Sequence, residues 1–171
     1  SREETRISGT LESCAESAES ALVECARVRA LLDRFKNLAG LALVPPSPVD
    51  PAELTAALGS RISPDRATVV FSGARAPLFV DRRMVEEALL NLVVNAADAC
   101  GRLPALVTIT TIREDSTVIL EVSDDNGPVD PGLFERSGKG RFSTKPDGTG
   151  LGLLFVRRVA VLHGGGLELF A

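Results

Sequence analysis

The sequence predicts an α/β sandwich fed by a long N-terminal helix, and three features carry that prediction. Residues 1–40 hold a sustained apolar seam of helical spacing. Residues 67–123 alternate short β-rich runs with one helix-patterned run, Met84 to Ala99. A glycine-rich stretch near the end opens directly into a second helical run through about His163. At 171 residues and 44% hydrophobic, the chain is long enough for one domain and a helical appendage.

In the appendage, Ile7, Leu11, Cys14, Ala18, Ala21, Cys25, Val28, Leu32 and Phe35 recur with alternating four- and three-residue spacings. Over about four heptads this specifies a narrow seam on one long helix, and such a seam demands a partner. Small residues at 14, 18, 21 and 25 permit close helix approach, while Gly40 with Pro45, Pro46 and Pro48 supplies a stop and a stiff linker. The length of the stripe and the intervening prolines favour a bundle over packing on the chain's own domain. The expected division is therefore 1–44 and 45–171.

Along the second unit, Leu54 to Ile62 reads as a short helix and Ala67 to Phe71 and Pro77 to Val80 as strands. Leu106 to Ile112 and Thr117 to Ser123 form a hairpin bent at Arg113-Glu114-Asp115-Ser116. On the Met84–Ala99 helix, Glu87, Asn91, Asn95 and Asp98 fall within an arc of about 80°, with Val85, Ala88, Leu89, Leu92 and Ala96 opposite. A polar stripe on one helix is ordinarily a solvated face. Solvated faces, however, are filled with Lys, Glu and Arg; asparagine is a poorer helix former, and two of them one turn apart look placed. Their amide oxygens suit a hard, hydrated cation such as Mg²⁺ that also grips phosphates.

Gly148-Thr149-Gly150-Leu151-Gly152-Leu153 follows a Lys-bearing loop, Arg141-Phe142-Ser143-Thr144-Lys145. Glycines let backbone N–H groups crowd an anion, and a helix beginning there adds unpaired amides and the positive end of its dipole. That combination points to a nucleotide. Two common nucleotide motifs fail on spacing. The dinucleotide fingerprint needs glycine at 153, where Leu stands, and in the Gly132-to-Gly138 stretch Lys139 precedes Gly140 rather than the Ser or Thr of a P-loop. Between the helices, Val118 to Val122 ends in Ser123-Asp124-Asp125-Asn126-Gly127-Pro128. A carboxylate at a strand end can accept from the exocyclic amine of adenine, although the same string is strong turn chemistry after any strand.

The order of these pieces resembles that of bacterial sensor histidine kinases. Asn91 to Asn95 looks like their asparagine box, Asp125-Asn126-Gly127-Pro128 like the first glycine box, residues 141–145 like the phenylalanine box, and residues 148–153 like the second glycine box. The resemblance runs from about Val49 to Phe170. It implies the two-layer α/β ATPase fold shared by gyrase, heat-shock chaperone, histidine kinase and mismatch-repair ATPases, in which a mixed sheet is covered by helices. It further implies ATP and Mg²⁺ as cofactors. Asn95 would be the metal ligand, with Asn91 assisting the metal or phosphates, and Asp98 would belong to the same ATP-binding stripe. Asp125 would bind the adenine amine and Gly127 would line the adenine side. Lys145, Gly148, Thr149 and the amides of Gly150, Leu151 and Gly152 would meet the phosphates, and Val129 to Gly148 would form the lid.

The sequence departs from the family pattern in three places. Val129 stands where the second glycine of D-x-G-x-G is usual. Strand spacing from Val122 favours Asp124 as the adenine acid, whereas the Asp-Asn-Gly-Pro string favours Asp125, which is preferred. The sequence stops at Ala171, short of the final strand that usually follows the His-Gly-Gly turn.

By the same resemblance, residues 1–44 look like the second helix of a dimerisation and phosphotransfer hairpin whose first helix, bearing the phosphoacceptor histidine, is missing. The implied function is transfer of the ATP γ-phosphate to a histidine outside this chain and thence to the receiver domain of a response regulator, in a homodimer joined through the N-terminal helix. Two alternatives are a related ATPase hydrolysing ATP, with Glu87 as base, and a noncatalytic dimeric signalling scaffold. In hydrolysing relatives an acid usually occupies the place of Asn91, which disfavours the first.

Composition agrees. A net charge of -4 argues against a nucleic-acid surface, no apolar run is long enough to span a bilayer, and no signal peptide is evident. A cytoplasmic location is expected, in a parent protein that can be membrane-anchored. Cys14, Cys25 and Cys100 lack metal-ligand spacing and read as reduced packing residues. His163, the only histidine, lies at a helix end, where it is expected to meet terminal carbonyls.

Overall fold

The computed structural model describes residues 17–25, 44–100, 104–127 and 150–170. Residues 17–25 form a helix, α1, every residue of which is exposed, including Ala18, Ala21 and Cys25 of the apolar seam. The other seam positions lie outside the described residues. Residues 42–171 form a separate compact unit.

That unit opens with strand β1 (Ser47–Val49), a departure from the stiff linker expected of its prolines. The strand is short and, among the described residues, pairs on one side only, antiparallel to β3 (Leu78–Val80), so Pro48 sits on an edge where its missing N–H costs little. Helix α2 (Pro51–Arg61) starts earlier than the apolar pattern suggests, because Asp50 caps it through Ala52 N–H (2.7 Å) and Pro51 is preset for the first helical position. Leu54 and Leu58 are fully buried beneath it, each stabilising the fold by about 1.5–3 kcal/mol.

The main sheet runs in the order β2 (Ala67–Gly73), β4 (Ala105–Glu114), β5 (Thr117–Asp124). Strand β2 is parallel to β4, with Ala67 opposite Ala105, and β4 is antiparallel to β5, so the sheet is mixed as expected. The hairpin is tighter than the four-residue bend read from sequence. Glu114 pairs with Thr117 across Asp115-Ser116, and Asp115 takes the left-handed region at φ 51.

One face of the sheet meets helices. Ala105, Val107, Ile109 and Thr111 alternate inward on β4, while Leu106 and Ile112, of the opposite parity, remain exposed. Val93, Ala96 and Ala97 of α3 (Arg82–Ala99) pack with Ala105 and Val107, and Val69 and Val122 close on this core from the flanking strands. Helix α4 (Gly152–Leu162) packs in turn on α3 and buries Val156 and Val159. The result is a two-layer α/β sandwich that positions α3, the start of α4 and the end of β5 around one side of the fold.

Candidate functional site

Helix α3 begins at Asp81, whose Oδ1 accepts from Met84 N–H at 3.1 Å, and from that cap the helix carries Asn91 and Asn95 one turn apart. Both asparagines are half-buried. Asn91 Nδ2 donates to Glu87 O at 2.7 Å, which locks the side-chain amide back along the helix. Its Oδ1 turns toward Gly152, since a Cβ built there would stand 3.2 Å from that oxygen and 3.7 Å from Asn95 Nδ2. The helix start therefore lies close against both amides, near enough to Asn91 that a side chain at position 152 would make the amide give by a few tenths of an ångström.

The chain enters α4 through Gly150 at φ 64 and the buried Leu151, whose side chain makes no capping hydrogen bond to the helix. An N-terminus without a side-chain cap presents its first amides and the positive end of its dipole to whatever lies beside it. Backbone donors on α4 and the side-chain amides of Asn91 and Asn95 on α3, the first turning its oxygen and the second its nitrogen toward Gly152, thus share one locus, whose donors and oxygen fit a phosphate chain held together with an oxygen-seeking cation. Among the described residues no cluster of His, Cys, Asp or Glu offers a competing metal site.

The acidic turn lies at the end of β5. Val122 packs against the core beneath α3, and Asp124, the last residue of β5, follows it on the same side by strand alternation, while Asp125 lies in the bend just beyond the strand. Asp124 Oδ1 accepts from Asn126 N–H at 3.0 Å, and Asp125 Oδ1 accepts from Leu106 N–H at 2.8 Å on the neighbouring strand. Asn126 Nδ2 donates to Ala96 O at 3.0 Å and ties the turn to α3, while its Oδ1 is buried with no hydrogen-bond partner among the described residues. Gly127 is exposed, with open space where a Cβ would be.

Other members of the polar stripe turn to different work. Glu87 pairs with Arg61 of α2 at 2.7 Å, and Asp98 pairs with Arg66 in the turn before β2. Asp98, three residues beyond Asn95, thus ties the C-terminal end of α3 to the turn before β2. Lys145, Gly148, Thr149, the Phe142 loop and Val129 lie outside the described residues.

His163 ends α4 and has both ring nitrogens engaged. Nε2 accepts from Asp81 N–H at 2.9 Å and Nδ1 stands 2.8 Å from Val159 O, the terminal-carbonyl contact expected from its place in the sequence. Sequence reasoning did not pick out Asp81, although an aspartate immediately before an apolar-periodic run is a readable helix-start signal. Burial pulls the Asp81 carboxyl upward, but the N–H groups of Met84 and Val44 and the Arg83 charge outweigh it and hold the group below the ordinary carboxylate range.

Comparison with known proteins agrees with this geometry. Residues 80–170, more than half of the chain, match the family described as histidine kinase-, DNA gyrase B-, and HSP90-like ATPase. The sensor histidine kinase ZraS of Salmonella typhi is 34% identical over 88 residues, covering 52% of this chain and 19% of that protein. The histidine protein kinase DivJ of Caulobacter vibrioides is 35% identical over 114 residues, covering 61% of this chain and 19% of its own length. The chain thus spans about a fifth of these curated relatives. Among solved structures, the catalytic domain of histidine kinase ThkA superposes with a TM-score of 0.57 at 25% identity, covering 68% of this chain and 80% of that one. Full-length ShkA in complex with AMPPNP superposes with a TM-score of 0.66 at 24% identity, covering 90% of this chain and 36% of that one, a likeness of fold. The chain belongs to the histidine kinase-, gyrase- and HSP90-like ATPase family, and its compact unit has the fold of a histidine kinase ATP-binding domain.

Proposed function

We propose that this chain is the ATP-binding catalytic part of a two-component sensor histidine kinase, which delivers the γ-phosphoryl group of Mg-ATP to a histidine outside the chain. From there the phosphate would pass to an aspartate on a response-regulator receiver domain. The observation that carries this reading is the close approach of Gly152, at the start of α4, to Asn91 and Asn95 on α3.

In this reading Asn95, with Asn91 beside it, holds Mg²⁺ on the phosphate chain, and the amides of Gly150, Leu151 and Gly152 receive the phosphate oxygens. Lys145, Gly148 and Thr149 complete that contact from the preceding loop. Asp125 receives the adenine amine, with Asp124 as the alternative acid, and Gly127 lines the base. Phosphoryl transfer of this kind rests on positioning and charge stabilisation, which these residues supply without covalent participation. His163 is a poor acceptor, since each ring nitrogen already has a partner and α4 separates it from the phosphate end by about 16 Å. Homodimerisation would fall to residues 1–44. Among the described residues no helix is long and apolar enough to cross a membrane.

The test is calorimetric titration with Mg-ATP and Mg-GTP, followed by incubation with γ-labelled ATP. Preferential Mg-ATP binding without self-labelling is expected, with labelling restored in a longer chain that carries a preceding histidine-bearing helix. Absence of Mg-ATP binding overturns the reading. Acid-labile, base-stable label on this chain that disappears in His163→Gln overturns the assignment of the acceptor to another segment.

A further inference from the structure

Three separate parts of the compact unit converge on Asp81. Its Oδ1 caps α3 through Met84 N–H, its Oδ2 accepts from Val44 N–H at 3.1 Å, and its own N–H donates to His163 Nε2 at 2.9 Å. The residue is 5% exposed. Because Nε2 receives a hydrogen, it is bare, so the ring proton sits on Nδ1 and points at Val159 O within α4. His163 is thereby fixed to its own helix by one nitrogen and to the start of α3 by the other.

The two helices are antiparallel and touch at two marked points. Gly152 at the start of α4 lies on Asn91 and Asn95, and His163 at its end lies on Asp81. The spans between these points are nearly equal: about 16 Å along α4 and about 15 Å from Asp81 to Asn91 along α3. A helix pinned at both ends cannot slide or rotate on its neighbour without breaking a pin. At the glycine end the pin is van der Waals contact, which is weak for each atom pair and has no fixed direction. The directed hydrogen bond is at the histidine end.

We propose that His163 is a positioning residue for nucleotide binding: through Nε2 and the Asp81 N–H it sets the register of α4 on α3, and so the placement of the Gly152 amide beside Asn91 and Asn95. The inference rests on the nucleotide reading of that locus. It assigns His163 a part in the reaction that needs no phosphoryl transfer to its ring.

Side-chain length separates this from a general structural role. Glutamine places its terminal amide near Nε2 and can offer an oxygen to Asp81 N–H. Asparagine reaches only as far as Nδ1 and can keep the Val159 contact alone. Mg-ATP affinity is measured for the unmodified chain, His163→Gln and His163→Asn, well below each protein's unfolding midpoint. His163→Asn is expected to bind about 5–10-fold more weakly, the effect of one lost hydrogen bond, with His163→Gln within about twofold of the unmodified chain. Equal binding by His163→Asn and the unmodified chain overturns the inference, as does a His163→Gln variant as weak as His163→Asn. Failure of the unmodified chain to bind Mg-ATP overturns the nucleotide reading and this inference with it. A measurement without mutation stands beside these: imidazole nitrogen NMR of the unmodified chain is expected to show the Nδ1–H tautomer, and an Nε2–H tautomer overturns the proposed bond.

Discussion

The helix pair α3/α4 and the acidic turn after β5 are both assigned to one ligand, yet they are built on different constraints. On α3 the spacing of Asn91 and Asn95 fixes their direction, because 3.6 residues per turn leaves little freedom once Val93, Ala96 and Ala97 are buried. At the end of β5 direction depends on a count of one. Asp124 is the last residue of the strand and Asp125 the first of the bend, so a shift of one residue exchanges them. A site residue on a packed helix can be read from sequence; a site residue where a strand becomes a turn depends on where the ladder stops.

The largest expected effect breaks the helix side. Asn95→Ala removes an oxygen from the proposed cation site and is expected to weaken Mg-ATP by about 100-fold while affecting adenosine little, a loss on the scale of a bond to a charged group. Titrations with and without Mg²⁺ measure it. An unchanged Mg²⁺ dependence removes Asn95 from the site and leaves the Gly152 contact as packing.

On the turn side, Asp124→Asn and Asp125→Asn separate the two acids. The true adenine acid is expected to cost about 10–30-fold in ATP affinity and much less in GTP, which lacks that amine. The family string points to Asp125. Its carboxylate, however, already accepts from Leu106 N–H on the neighbouring strand, so a larger loss in Asp124→Asn transfers the role and makes strand parity the better guide.

Much of the fold was legible because its signals are local and redundant. The hairpin, the α3 stripe and the glycine-rich start of α4 each follow from periodicity and turn chemistry. Other features depend on partners distant in sequence. Strand β1 exists because Leu78 to Val80 offers an edge to a proline-bearing segment. Asp98 belongs to the predicted polar stripe, but Arg66 stands within reach and pairs with it. The Asp81 junction joins residues 44, 81 and 163, a triangle that no windowed pattern contains.

That junction yields a stability prediction. Asp81→Asn keeps an acceptor for Met84 N–H but turns an amide donor toward Val44 N–H, and it is expected to cost about 1–3 kcal/mol in urea unfolding. The folded-state carboxyl is held below its ordinary value of 3.8, so its contribution is present above that value and is lost as pH falls through the lower folded one. The variant should therefore show a flatter loss of stability in this acid window. An unchanged acid limb places the pH sensitivity elsewhere.

The smallest effect sharpens the comparison at Gly152. A Cβ there would stand 3.2 Å from Asn91 Oδ1, and Asn91, held by its 2.7 Å bond to Glu87 O, would have to give by a few tenths of an ångström. Alanine is also a better helix former than glycine by up to about 1 kcal/mol, so Gly152→Ala is expected to leave unfolding stability unchanged or slightly raised. Mg-ATP affinity should move the other way, falling about three- to fivefold as the α3 amides shift by a few tenths of an ångström. Gly127→Ala provides the matching measurement on the turn. Its Cβ meets open space in the protein, so any affinity it loses reports a base coming against the turn. If Gly152→Ala lowers stability and affinity together, the contact is a packing constraint on α4; if affinity falls alone, it is part of the nucleotide site.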